Sequence, residues 1–202
     1  MEELEELRRI YAATAAEAFA CGTRGTMLRF VAGGWSPVSL GTTQSLEAVH
    51  GRLADNVVVT AASGAAYRYD GNVWKSLPTG TTNRLDGVFV TSSEAWMVGD
   101  FGTILTWDGS SSGTRTGNIE TLNGVFAVGS DVWAVGDEGG TFRWKGSSWQ
   151  RIPSGTTEPL WSLWGSSGTD LWAVGPSGIV LHWDGSAWST RTAPVPTPRS
   201  IS

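Results

Sequence analysis

From residue 16 onward the apolar residues fall in runs of four or five, separated by Gly, Ser, Thr, Asn and Asp. That is the pattern of short β-strands joined by tight turns. Within a unit, the first strand is read at residues such as 160–164, the second at 132–135, the third at 140–144 and the fourth from Trp149. A glycine-bearing turn such as Gly99-Asp100-Phe101-Gly102 joins the second strand to the third. Asp-Gly at 70–71, 108–109 and 184–185 joins the third to the fourth and predicts type I′ hairpins. The second strand is apolar on both faces. Phe19, Val58, Trp96, Trp133 and Trp172 point one way, and Ala18, Val57, Ala95, Val132 and Leu171 the other. Such a strand is buried between two neighbours, whereas a sheet with one wet face would alternate.

The pattern repeats. Asp-Val-Trp-Ala-Val-Gly-Asp-Glu-Gly at 131–139 is matched by Asp-Leu-Trp-Ala-Val-Gly-Pro-Ser-Gly at 170–178. The last glycine of the motif falls at Gly25, Gly64, Gly102, Gly139 and Gly178, with spacings of 39, 38, 37 and 39 residues. Four antiparallel strands per period, with no helix between them, predict a propeller blade. The first unit starts at its second strand, residues 17–21, and lacks a first strand. Val49, Val88, Val125 and Leu163 lie 18 or 19 residues beyond Phe30, Tyr69, Trp107 and Trp144, and Ile201 lies 18 beyond Trp183. The expectation is therefore all-β: a five-bladed β-propeller over 16–202, closed by a C-terminal strand at 198–202 that pairs with the N-terminal blade and removes the open edges.

The units at 93–109, 131–146 and 170–185 resemble the Val-Gly-Asp-x-Gly-Thr-Ile…Trp-Asp-Gly propeller repeats of bacterial, often extracellular, proteins. They are similar in shape to WD40 blades but lack the Gly-His pair and have a shorter period. The resemblance covers residues 16–202 and implies a fold and an extracellular parent family. It transfers no catalytic residue.

Residues 1–15 differ from the rest. Glu2, Glu3, Glu5 and Glu6 precede Arg8 and Arg9, in the order a helix dipole favours. Leu4, Leu7 and Tyr11, with Ile10 beside them, form a stripe at spacings of three and four. The expectation is a short amphipathic helix that caps one end of the ring or binds a partner or a second copy through Leu4, Leu7 and Tyr11. Its Glu/Leu/Arg composition also resembles engineered helices added to natural scaffolds.

The composition narrows the function classes. The 202 residues include 27 Gly and 12 Trp, with only 16% charged. Each tryptophan buries roughly 150–250 Å², and their regular spacing places most of them inside. A net charge of −5 without any Lys/Arg run argues against nucleic-acid binding. No apolar stretch has the length of a membrane span, and no secretory signal is visible, so the compartment stays open for a chain read as soluble. The single cysteine, Cys21, rules out an internal disulfide and aligns with Thr60, Val98, Val135 and Val174, as a buried inert thiol would. No metal, cofactor or phosphate-loop spacing is present.

Catalytic candidates are few. His182 aligns with Arg29, Arg68, Thr106 and Arg143, a solvated strand position, and His50 with Phe89, Phe126 and Trp164, a structural one. Asp100 and Asp137 share a turn position, where turn chemistry accounts for them. The strongest signal lies in the first strand, whose second position is Glu47, Asp86, Asn123, Trp161 and Arg199 while its neighbours stay small. Five unlike residues in one layer predict a ligand site at a mouth of the central channel. The reading is a non-catalytic binding or scaffold propeller with a protein partner or self-association. A carbohydrate-binding propeller is the alternative, motivated by the Thr/Gly/Asn-rich loops at 41–45, 79–83 and 154–158. A glycosidase using Glu47 and Asp86 comes third.

Overall fold

The apolar runs form strands close to where the period places them. The computed structural model describes residues 6–110, 112–114 and 120–192. Among them stand five four-stranded sheets and no α-helix. The first sheet holds β1 (Leu7–Thr14), β2 (Glu17–Gly22), β3 (Met27–Val31) and β4 (Gly34–Pro37). The second holds β5 (Leu46–Leu53), β6 (Asn56–Ala61), β7 (Ala66–Tyr69) and β8 (Trp74–Ser76). The third holds β9 (Leu85–Val90), β10 (Ala95–Gly99), β11 (Thr103–Trp107) and β12 (Ser112–Thr114). The fourth holds β13 (Leu122–Val128), β14 (Asp131–Gly136), β15 (Thr141–Trp144) and β16 (Trp149–Arg151). The fifth holds β17 (Ser162–Ser167), β18 (Asp170–Val174), β19 (Ile179–Trp183) and β20 (Trp188–Thr192). Each sheet keeps its strands in chain order. The chain divides into two compact units, residues 1–97 with 105–114 and residues 98–104 with 115–202.

Among the described residues 6–15, a strand stands where the amphipathic helix is expected. β1 runs antiparallel to β2, with Tyr11 opposite Phe19 and Ala12 opposite Ala18. A helix of two or three turns is marginal alone, whereas the bare edge of β2 offers a row of backbone partners. That tertiary pairing overrides the helix propensity of Glu, Leu and Arg. The repeat therefore begins at Leu7 rather than residue 16, and β1 fills the first-strand place that the sequence reading assigns to the C-terminus. Leu4, Arg199 and the closing strand at 198–202 lie outside the described residues.

In the first unit, β5 lies against both β1 and β9, the inner strands of its neighbours. β6 is buried on both faces, as its sequence predicts. Val57, Val59 and Ala61 join Phe19, Cys21, Met27 and Leu46 on one side. Val58 joins Leu85, Val88, Met97 and Leu105 on the other. A large side chain of one sheet's second strand sits on the aromatic hairpin of the next. Phe19 packs on Tyr69 and Trp74, with centroids 5.9 and 6.1 Å away. In the second unit Trp133, fully buried, packs on Trp183 and Trp188 at 4.9 and 6.0 Å.

Turn chemistry differs from expectation at the Asp-Gly sites. Gly71 has φ +95° while Asn72 stays out of the positive region, the pattern of a type II′ turn rather than I′. Asp70 stands before the turn, and its carboxylate accepts from the Asn72 and Val73 amides at 3.1 and 3.0 Å. The positive-φ pair of a type I′ hairpin occurs instead at Ala32-Gly33. At the second-to-third-strand turn a Cβ on Gly139 would sit 1.9 Å from the Thr156 carbonyl oxygen at φ +64°, so glycine is required.

Candidate functional site

Each unit shows local irregularity at the positions the sequence singles out. In β1, β5 and β13 the ladder slips just after the leading leucine, between Leu7 and Arg9, Leu46 and Ala48, and Leu122 and Gly124. A bulge re-aims the side chain of the extra residue, and those residues are Arg8, Glu47 and Asn123. Trp161 donates its amide to the Val174 carbonyl at 2.7 Å while Ser162 is paired opposite Val174, so it takes the equivalent place. Arg8 holds this place in β1, while Arg199 lies outside the described residues. The signal was available, because Leu7 precedes Leu46 by 39 residues, one full period.

In the first unit three members come together around one carboxylate. Glu47 is 5% exposed. Its Oε2 takes an ion pair from the Arg8 guanidinium and another from Arg84 Nη2 at 2.7 Å. Arg84 Nε also reaches Asp86 Oδ1 at 2.5 Å. Glu47 Oε1 is buried and has no hydrogen-bond partner among the described residues. Arg84 was missed because it precedes the repeated leucine at a position that does not recur. In the second unit Asn123 Nδ2 donates to Asp137 Oδ1 at 3.1 Å and to the Leu160 carbonyl at 3.0 Å. Trp161 is half-buried.

The partner stripe is divided. Leu7 is exposed, but Tyr11 packs into the first unit's core beside His50, with centroids 5.1 Å apart. Burial raises the Tyr11 hydroxyl above its ordinary pKa. His50 stacks on Phe89 at 4.1 Å, and its Nδ1 accepts the Val90 amide at 2.9 Å. Burial lowers its pKa from 6.5 to about 4, so it serves as a neutral core residue. Cys21 is buried and its thiol is pushed up to about 12, chiefly by desolvation, which leaves no thiolate nucleophile. His182 is not simply solvated, since Nε2 lies 2.8 Å from Asp170 Oδ1 and the ring lies 4.3 Å from that of Trp172.

The features that motivated sugar binding have structural roles. The Thr42, Thr81 and Thr156 hydroxyls accept from the amides two residues on, at 3.1, 3.0 and 3.0 Å. Their carbonyls stand where a Cβ on Gly25, Gly64 or Gly139 would be. Asp100 gives its backbone carbonyl to the Thr103 hydroxyl at 2.6 Å. Phe101, 75% exposed at φ 55°, shares its conformation with Arg24, Glu138 and Ser177, so this strain belongs to the turn type. No group of three potential metal ligands occurs among the described residues. No described helix is long and apolar enough to cross a membrane.

Repeated four-stranded sheets, inner strand against inner strand, with a bulged polar layer, define a repeat protein of the β-propeller class. Comparison with solved structures agrees, with 934 similar chains. Two of them are YCF48 bound to D1 peptide and YCF48 from Cyanidioschyzon merolae, each with a TM-score of 0.70 and 16% identity. The matches cover 92% and 93% of this chain but 66% and 70% of those chains. A likeness at that identity establishes the fold alone. No protein-family model matches the sequence, and no curated protein does.

Proposed function

We propose that this chain is a non-catalytic binding propeller that takes a protein segment at the bulged layer of its first unit. The observation that carries the reading is Glu47, a buried carboxylate whose Oε1 has no donor among the described residues while two arginines hold Oε2. An acceptor left unsatisfied in the interior costs about 1–3 kcal/mol. A peptide amide or an Asn or Gln side chain laid across β5 would supply the missing donor. The YCF48 structure bound to D1 peptide is a precedent for a peptide on this fold.

The rival readings have less to stand on. Arg84 bridges Glu47 and Asp86, so both carboxylates of the glycosidase reading are tied to one guanidinium. The loops invoked for sugar are held in their own turns. Residues 7–14 of the helix invoked for self-association form a strand. The test is to pan a random peptide display library against the folded chain and to measure recovered peptides by fluorescence anisotropy on Glu47→Gln and Arg84→Gln. Losses of about tenfold or more are expected. Equal affinity on both variants overturns the site, and an empty panning overturns the peptide-binding reading.

A further inference from the structure

A second site emerges from a pairing rule internal to the repeat. The first residue of the second strand and a residue of the third, twelve positions later, form a partnership in the first, fourth and fifth sheets. Glu17 holds Arg29 at 2.7 Å through its Nε, Asp131 holds Arg143 at 2.9 Å, and Asp170 holds His182 at 2.8 Å. Each pairs a basic side chain with a carboxylate on a half-wet edge. The second and third sheets break the rule in opposite senses. In the second, Arg68 finds only the neutral amide of Asn56, at 3.0 Å. In the third, Glu94 faces Thr106 in the sequence register, and its carboxylate has no ion pair or hydrogen bond among the described residues.

The two unmatched charges line one cavity. It measures about 180 Å³ and is walled by Asn56 and Arg68 of the second sheet, the Thr91–Glu94 turn, and Trp107 with Asp108. Arg68 and Glu94 are both half-buried. The Trp107 indole N–H is buried and has no partner among the described residues, whereas its equivalent in the fifth sheet, Trp183, donates to the Gly168 carbonyl at 3.2 Å. Within the third sheet's turn, the Thr91 hydroxyl accepts from the Ser93 and Glu94 amides and donates to the Glu94 carbonyl. The turn thus closes on itself rather than on Trp107. A half-buried cation and a half-buried anion, each without its counter-charge, are costly on their own. A polar cavity flanked by both and holding a spare donor matches a ligand that carries both charges.

We propose that this cavity binds a small zwitterion, an α-amino acid with a short side chain. Its carboxylate pairs with the Arg68 fork and its ammonium with Glu94, and an oxygen accepts from the Trp107 indole. At about 30 Å³ per water-sized group the cavity holds roughly six such groups, which suits the backbone atoms and a short side chain of glycine, alanine or serine. The site is built from other residues than the Glu47 layer, so it stands or falls separately from peptide binding.

The test uses the intact chain and L-serine as probe. The Trp107 indole N–H resonance, assigned by its disappearance in Trp107→Phe, is followed during titration together with the melting temperature. A saturable shift of that resonance and a rise in melting temperature are expected. Acetate and methylammonium, added singly at the same concentration, should produce neither. Arg68→Gln and Glu94→Gln should each weaken serine binding about tenfold or more, with Arg68→Lys recovering part of it. Each variant's unliganded melting temperature shows that it is folded. No saturable shift with serine, glycine or alanine, or equal binding by both Gln variants, overturns the proposal. So does acetate binding as tightly as serine, which would make this an anion pocket.

Discussion

Acidification offers a quantitative test of how the first unit's core is built, because it holds a histidine as an acceptor. His50 Nδ1 takes the Val90 amide at 2.9 Å, and the ring is clasped between Tyr11 and Phe89. The titratable group packed against it is Tyr11, whose raised pKa keeps it neutral in acid. Protonation would turn the acceptor into a donor facing a donor and place a charge between two rings. Burial accordingly lowers the His50 pKa from 6.5 to about 4. The sign follows from which state takes the proton. Above about pH 6.5 both states are neutral and the full contribution is present. As the pH falls from 6.5 towards 4, the unfolded chain binds a proton that the folded chain refuses, so stability is lost. At about 1.4 kcal/mol per pKa unit the loss sums to about 3 kcal/mol, a large share of a typical domain's 5–15 kcal/mol. The control is His50→Phe, which installs the residue found at Phe89 and Phe126. It strands the Val90 amide, costing about 1–3 kcal/mol at every pH, but removes the titration. Urea unfolding of both proteins at pH 7, 6, 5 and 4 isolates the term, because the carboxylates titrate alike in each. Wild type should start the more stable and lose its advantage by about 3 kcal/mol at the acid end. A stability difference that stays constant with pH would refute the argument.

Gly139→Ala should destabilise by about 2–4 kcal/mol, with about 1–2 of it from left-handed backbone and the rest from the Cβ that meets the Thr156 carbonyl at 1.9 Å. Gly33→Ala is the control, since nothing lies within 4 Å of its added carbon, and thermal melts should show the smaller cost alone. Trp133→Ala should cost about 3–5 kcal/mol in chemical denaturation, because its ring is fully buried against Trp183 and Trp188. Deleting residues 1–14 removes β1 and bares the edge of β2. Light scattering should then find oligomers or aggregate, and a clean monomer as stable as the full chain would contradict the strand.

Period and strand order were legible because, within each unit, neighbouring blades pack through the same few positions. Val57 and Val58 must serve two different cores, and that requirement writes itself into every second strand. The first blade was misread where the repeat is weakest. Leu7-Arg8-Arg9-Ile10 keeps the leucine and the β-branched residue of Leu46-Glu47-Ala48-Val49 but puts a long Arg9 at the small position. Local helix propensity then outweighed a match one period away. The bulge layer was legible as variation at a single position, but its chemistry was not. Glu47 and Asp86 looked like neighbouring acids, and only the fold brings in Arg84 and Arg8 to hold them. Nor could the type II′ geometry be told from Asp-Gly alone. It depends on where strand pairing ends, at Tyr69 opposite Trp74, which leaves Gly71 rather than Asp70 at the first central position.

A repeat protein carries its own internal comparison, and departures from the repeat are more informative than its matches. The twelve-residue acid–base partnership seen at Glu17–Arg29, Asp131–Arg143 and Asp170–His182 is a folding device, and it accounts for a histidine that resembled a solvated strand residue. Its failure at Asn56–Arg68 and at Glu94–Thr106 has no folding advantage, since both leave a half-buried charge without its counter-ion. The same reasoning applies at the inner strands. A bulge that recurs in β1, β5 and β13 is architecture. The residue it presents changes from arginine to glutamate to asparagine, and at Glu47 it leaves an acceptor buried without a donor among the described residues. Drift at a solvated position would produce variety without such a penalty. A buried penalty at a variable position of an otherwise regular fold is what the proposed site at Glu47 would leave if its remaining partner came from another molecule.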